Sequence, residues 1–381
     1  MKSLGLIVEY NPMHLGHLYH LQHAKKITQS EVTIAVMSGS VVQRGDFSIL
    51  DKFIKTEVAL KSGVDLVVEL PSFFVLQAAD YFAKAAVDLL AALKITDLVF
   101  GSESGDIDGL TRLENHMRED RFEVALKQAL DSGLSYPDAM QTAVLDESLK
   151  SLLTPNNTLG ISYLKALRPY PTIRVQTMKR EKRMYYDAFD DHTTIQSATA
   201  LRQQIAQGAN IDAYVVEALK PYLKSLTPLQ AEALYPVFIG QLKMMTKTRF
   251  QTVFGFHEGL ENRFLKSTQE DDYFDFLESV KTPRYTYAHL QRAMMHSLLS
   301  TPKEFELEKT PPYIRLLGMT DKGQAYLHQI KKDINLPIYT SAKHHQHPLL
   351  DFEQQISSLI EPYLKRPLKK LEMGPPIQIA K

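Results

Sequence analysis

Cysteine is absent from all 381 residues, which excludes a disulfide framework. No run approaches the ~18 consecutive apolar residues of a membrane span. Nor is there a basic segment followed by an apolar stretch and a small-residue cleavage site, so the expectation is a cytoplasmic protein with no membrane partner. Charge of one sign is missing too: Lys plus Arg and Asp plus Glu each total 44. The chain therefore carries no global signature of a nucleic-acid binder, and any basic surface must be local. No self-similar repeat and no low-complexity linker interrupts it. What remains is ordinary globular composition, 44% hydrophobic and 23% charged, on a chain long enough for two domains.

The first hundred residues alternate short β-rich runs with longer helical ones. "SLGLIVEY", "VTIAVMSG", "DLVVELP" and "TDLVFGSE" read as strands; "HLGHLYHLQHAKKIT", "LDKFIKTEVALKSG" and "VLQAADYFAKAAVDLLAALK" read as the helices between them. Near-continuous apolar strands separated by amphipathic helices predict an α/β fold with a Rossmann-like parallel sheet covered on both faces. A mostly helical insertion is expected over about 106–168, with "LLTPNNTLG" as a polar turn, and "TIRVQTMKR" then adds a strand. We place the end of this domain near residue 205 and read 206–381 as mainly helical, with "FIGQLKMMTKTRFQTVF" as one helix and "PPYIRLLGMT" and "INLPIYTS" as short strands.

"EYNPMHLGHLYHL" sits where the first strand gives way to the first helix. In a doubly wound sheet that position offers unpaired backbone N–H groups and the positive end of a helix dipole, an anion site. His14 and His17 are three apart and project from one side of a helical turn, so their imidazoles can donate to phosphate oxygens. Pro12 suits a turn or the first helical position, and Gly16 removes a side chain where a ligand must approach the backbone. His20, one turn further on, is a marginal neighbour by this reading.

"HLGH" resembles the HxGH signature of the superfamily of nucleotidyltransferases and class I aminoacyl-tRNA synthetases, and "QSATALR" resembles its second signature, ISSTxxR, with Ser197, Thr199 and Arg202 at the matching positions. A closer resemblance runs along almost the whole chain. "GLIVEYNPMHLGHLYHL", "MSGSVVQRGDFSILDK", "GVDLVVELP", "FGSESGD", "TPNNTLGISYLKAL", "TMKRE", "TPRYTYAHLQRAMMH" and "YIRLLGMTDKG" follow in the order and spacing of the bacterial tRNA(Met) cytidine acetate ligase family.

That resemblance implies an enzyme that uses ATP, with Mg²⁺, to activate acetate as acetyl-adenylate. It then acetylates N4 of the wobble cytidine of elongator tRNA(Met). It maps ATP contacts onto Ile7, Val8, Glu9, Tyr10, Asn11, Pro12, Met13, His14, Leu15, Gly16, His17, Leu18, Tyr19 and His20. Further contacts map onto Gly101, either Asn156 or Asn157, and Arg180. Met13, Leu15, Ser40 and Val41 depart from the family's usual residues, two of which are asparagines. Selection of acetate, oligomeric state and domain closure are not legible in the residues.

Other candidates keep two readings. Arg44 fits an acetate or phosphate contact, or a surface salt bridge to Asp46 or Asp51. Glu69 fits a ribose or Mg²⁺ contact, or a cap on the following helix. Basic residues interleaved with aromatics suggest RNA contacts at Lys182, Arg183, Lys243, Lys247, Arg249, Arg284 and Arg292. "KHHQH" from Lys343 is read as a surface loop, and no resident metal site is assigned. The competing functions are a small-molecule adenylyltransferase and a nucleotide-binding RNA chaperone.

Overall fold

The structure, a computed structural model, describes residues 1–180, 195–224, 226, 228–257 and 259–380. The chain begins with β1 (Ser3–Val8), α1 (Leu15–Thr28) and β2 (Val32–Ser38). A small hairpin of β3 (Val41–Val42) and β4 (Asp46–Phe47) follows, then α2 (Lys52–Lys61), β5 (Leu66–Leu70), α3 (Ser72–Val75), α4 (Ala79–Ala92) and β6 (Asp97–Ser102). Helices fill most of 107–167 before β7 (Arg174–Lys179). Three late strands, β8 (Ile314–Thr320), β9 (Ile338–Tyr339) and β10 (Ile377–Ile379), complete the set.

The main sheet runs β10-β8-β5-β2-β1-β6-β7, with β9 beside β8. Its five strands from β5 to β7 are mutually parallel. Period-two alternation sorts their side chains onto two cores: Val32, Ile34 and Val36 of β2 face one hydrophobic cluster while Ala35 and Met37 face the other. Strands buried on both faces must be apolar throughout, which is why "VTIAVMS" shows no polar stripe.

Sequence order reverses between β1 and β6: the chain winds outward from β1 through β2 to β5, then crosses back to lie beside β1. Ligands of such sheets bind at this switch point, outside the carboxyl ends of the strands.

The segment beyond residue 205 does not stay outside this sheet. β8 pairs antiparallel with β5, and β10 lies parallel on β8, so the last strands extend the nucleotide-type sheet rather than form a separate layer. Two predicted elements also change. "PNN" is the first turn of the helix Pro155–Leu167, not a loop between helices. "FIGQLKMMTKTRFQTVF" divides into Tyr235–Lys243 and Lys247–Phe250, because the Thr246 side chain accepts from the Arg249 N–H and restarts the helix. No helix among the described residues is long and apolar enough to cross a membrane.

Candidate functional site

After β1 the backbone turns at Tyr10, at φ 48°, and Asn11 anchors the turn: its Oδ1 accepts from the Ile49 N–H at 2.9 Å. His14 is the N-cap of α1, and its carbonyl accepts from His17 N at 2.9 Å and Leu18 N at 3.2 Å. The His14 and His17 rings stack at 3.8 Å, with the Tyr10 ring edge-on to His17 at 5.2 Å. Gly16 also serves the packing of the histidines. A Cβ there would meet the His14 ring at 2.9 Å, so the glycine makes room for that ring as well as lining the chamber beside it.

Burial, with the charges of Arg180 and Arg202 behind it, pushes the His14 imidazole down to about 3. Burial also lowers His20 to about 4, helped by Arg180 and His23, and lowers His17 well below its usual value. All three are neutral near pH 7 in the free protein. His14 Nδ1 and His20 Nε2 are buried with no hydrogen-bond partner among the described residues. His20 is thus not marginal: it lines the same chamber as His14 and His17.

The opposite wall comes from the ends of β6 and β7. Gly101 lets the Arg180 stem cross the end of β6, since a Cβ there would stand 3.2 Å from Arg180 Cγ. Arg180 donates its backbone N–H to the Ser102 carbonyl at 2.8 Å and its Nη1 to Asn156 Oδ1 at 2.7 Å. Glu103 caps the helix Pro155–Leu167, accepting from the N–H groups of Asn156 at 3.0 Å and Asn157 at 2.7 Å. Burial raises the Glu103 carboxyl, but hydrogen bonds from Asn156, Thr154 and Asn157 outweigh that and hold it below its ordinary value.

The asparagine pair now divides. Asn156 lines the chamber, whereas Asn157, 1% exposed, turns inward. Its Oδ1 accepts from Glu103 N and Ser104 N at 2.9 and 3.3 Å, and its Nδ2 donates to the Leu152 carbonyl at 3.0 Å.

The "QSATALR" segment closes the third side. Ser197 Oγ caps the helix Ala198–Ala206 by accepting from Ala200 N at 3.0 Å. Arg202 reaches back to the Asn11 carbonyl at 2.8 Å and to Thr199 Oγ1 at 3.2 Å, tying this helix to the turn after β1.

These elements enclose an inner chamber of about 220 Å³, which opens into an outer vestibule of about 510 Å³. Glu9, Asn11, Asn156, Arg180, Ala198 and Arg202 border both spaces. Ile7, Val8, Tyr10, His14, Gly16, His17, His20 and Gly101 belong to the inner chamber; Arg44, Ser197 and Thr199 belong to the vestibule. Pro12, Met13, Leu15, Leu18, Tyr19 and Asn157 border neither. Met13 is core at 1% exposure, and Tyr19 faces solvent at 42%.

Sequence reasoning missed the apolar wall of Phe100, Leu159, Tyr163 and Met178. One signal for it exists: Gly160 lies against the Phe100 ring, where a Cβ would come within 2.4 Å.

Arg44 is exposed and pairs with neither aspartate. Asp46 accepts from the Ala231 and Phe47 N–H groups, and Asp51 caps α2 and pairs with Arg366 at 2.8 Å. Glu69 takes neither of its expected roles. It is buried against Lys52 at 2.7 Å, in a cluster with Glu353, Glu372 and Arg315, and it is Glu353 that caps α3 at Ser72.

Among the basic residues, Lys243, Lys247, Arg249 and Arg284 are exposed. Arg292 is half-buried: burial lowers it to about 10, and its Nη1 donates to the Gln43 carbonyl at 3.4 Å. Lys182 and Arg183 lie outside the described residues. In "KHHQH", His345 stacks on Tyr339 at 4.1 Å and His347 caps the helix Pro348–Leu364. No group of three or more His, Asp or Glu side chains among the described residues is arranged to hold a metal ion.

The HIGH Nucleotidyl Transferase family pattern matches residues 1–372. The tRNA(Met) cytidine acetate ligase of Oceanobacillus iheyensis is 37% identical, with 100% of this chain and 100% of that protein covered. That of Bacillus subtilis is also 37% identical, covering 97% of this chain and 94% of the relative. The crystal structure of Thermotoga maritima TmcAL bound with alpha-thio ATP superposes with a TM-score of 0.88 at 32% identity, over 100% of both chains. With the paired histidines at the switch point and agreement along its full length, this chain belongs to the HIGH nucleotidyl transferases and, among them, to the tRNA(Met) cytidine acetate ligase family.

Proposed function

We propose that this protein is an ATP-dependent ligase that forms acetyl-adenylate in the inner chamber and transfers the acetyl group to N4 of the wobble cytidine of elongator tRNA(Met). The observation that carries this reading is the meeting of the His14–His17 stack, Arg180 and Arg202 around one chamber at the switch point.

Attack of a carboxylate on the α-phosphorus of ATP needs charge neutralisation and positioning more than proton transfer. His14 and His17, at the N-terminus of α1, are assigned to the α-phosphate and the departing pyrophosphate. Arg180 and Arg202, already fixed by Asn156 and the Asn11 carbonyl, clamp the phosphates from the side shared with the vestibule. Thr199 and the Arg44 guanidinium, which has no ion-pair partner among the described residues, border that vestibule, where acetate and pyrophosphate carry negative charge. Phe100, Leu159, Tyr163 and Met178 give the adenosine an apolar bed beside Gly101.

Mg²⁺ fits as an ion carried on the triphosphate oxygens, since such ions keep several waters and need few protein ligands. It would supply further neutralisation of the leaving group. The helical stretch between the helix Ala198–Ala206 and β8 is assigned to tRNA, with Lys243, Lys247, Arg249 and Arg284 as exposed cations along it.

Incubation with ATP and labelled acetate, with and without bulk tRNA, tests the reading. Label in the cytidine of tRNA(Met) is the expected result. AMP transfer to a small phosphorylated acceptor without RNA labelling would favour the adenylyltransferase alternative instead.

A further inference from the structure

We infer that Glu9 accepts the proton released from the cytidine N4 amine as it is acetylated. This rests on the acetyl-transfer reading above and adds to it the group that completes the second step. The amine attacks the acetyl carbonyl carbon of acetyl-adenylate, and a new N–C bond forms. The acyl C–O bond to phosphate breaks, with its electron pair leaving on AMP. One N4 proton must depart, because the product amide nitrogen cannot keep the positive charge that builds during attack. A carboxylate placed between the adenylate and the incoming base removes it and later returns it to solvent.

Three carboxylates border the vestibule: Glu9, Asp46 and Glu103. Glu103 is occupied on both oxygens, Oε1 by the Asn156 N–H and Nδ2 and Oε2 by the Asn157 N–H. Asp46 takes two backbone donors on Oδ1, Ala231 at 2.6 Å and Phe47 at 2.7 Å, and does not reach the inner chamber. Glu9 borders both spaces and is the one carboxylate among the described residues that lines the inner chamber.

Glu9 is also held for the task. Lys55 Nζ, 1% exposed, donates to the Glu9 carbonyl at 3.0 Å and to the Ser38 carbonyl at 2.7 Å, locking the carboxyl end of β1 to that of β2. The Gln43 N–H donates to Glu9 Oε1 at 2.7 Å, and Gln43 is itself pinned by its side-chain bond to the Gln77 carbonyl at 3.1 Å. Gly45, at φ +86°, presses this hairpin onto the helix Tyr287–Leu298 so closely that a Cβ would stand 2.4 Å from Arg292 N. The second carboxylate oxygen has no protein donor among the described residues, which leaves it available to an amine arriving through the vestibule.

The test separates the two steps. Acetate-dependent exchange of labelled pyrophosphate into ATP reports the first, and chase of enzyme-bound acetyl-adenylate onto elongator tRNA(Met) reports the second. Glu9→Gln keeps an acceptor for the Gln43 N–H but removes the base. It should slow the chase about 100-fold and at least tenfold more than it slows exchange. An equal fall in both steps, an unchanged chase, or an Asp46→Asn variant that slows the chase more than Glu9→Gln would overturn the assignment. If the unaltered protein exchanges no pyrophosphate in the presence of acetate, the acetyl-transfer reading itself fails, and the inference with it.

Discussion

Replacing Asn157 by Ala should lower stability, whereas replacing its neighbour Asn156 should lower nucleotide affinity. The Asn157 side chain, 1% exposed, makes three hydrogen bonds, and its removal strands the Glu103 and Ser104 N–H groups and the Leu152 carbonyl. At about 1 kcal/mol for each lost bond the cost is about 3 kcal/mol, a Tm decrease of roughly 4 °C for a chain of this size. Asn156 instead orients the Arg180 guanidinium at 2.7 Å beside the chamber. That bond is partly exposed, so its loss is worth about 1 kcal/mol, or about fivefold in the Kd for ATP. Thermal denaturation and calorimetric ATP titration of both variants decide the matter. A loss of affinity without loss of stability in Asn157→Ala, with the reverse in Asn156→Ala, would refute the division of roles.

Other outcomes follow from the buried charges. Lys52→Met should lower the urea midpoint by an amount corresponding to about 3–5 kcal/mol, because it leaves Glu69, Glu353 and Glu372 without their shared cation; an unchanged midpoint would contradict the cluster. Acid should weaken the fold through its buried histidines. His14 and His296, both pushed down to about 3, stay neutral in the folded state while the unfolded chain takes up protons below about 6.5, so stability is full above that pH and falls from there toward 3. His296, held between Thr301 Oγ1 at 3.1 Å and the Leu76 carbonyl at 3.0 Å, should contribute to the slope, and a His296→Gln variant should show a shallower loss of Tm between pH 6.5 and 4. Bound triphosphate reverses the local field at His14, so ATP binding should take up protons, read as a dependence of binding enthalpy on buffer ionisation.

Much of the site was legible because local signals and the parallel sheet agree. The apolar runs placed β1, β2, β5 and β6, and "HLGH" after the first strand pointed to the switch point. What was not legible depends on distant partners. Nothing near residues 314–320 says that this strand pairs antiparallel with Leu66–Glu69, since a buried apolar strand fits many neighbours. "PNN" gives two identical side chains, and only the helix starting at Pro155 turns one toward Arg180 and the other toward the backbone of 103–104. Glu69 reads as an ordinary cap until Lys52, Glu353 and Glu372 are brought around it. Nothing around Arg292 says that its helix meets the hairpin at Gly45.

The central claim is that the His14–His17 stack at the start of α1 carries acetate activation. Acetate-dependent pyrophosphate exchange by His17→Ala, with tRNA binding measured on the same preparation, tests it most directly. Exchange should fall to background while tRNA binding stays at the level of the unaltered protein. Exchange at the unaltered rate would remove the histidine pair from the chemistry and contradict the account.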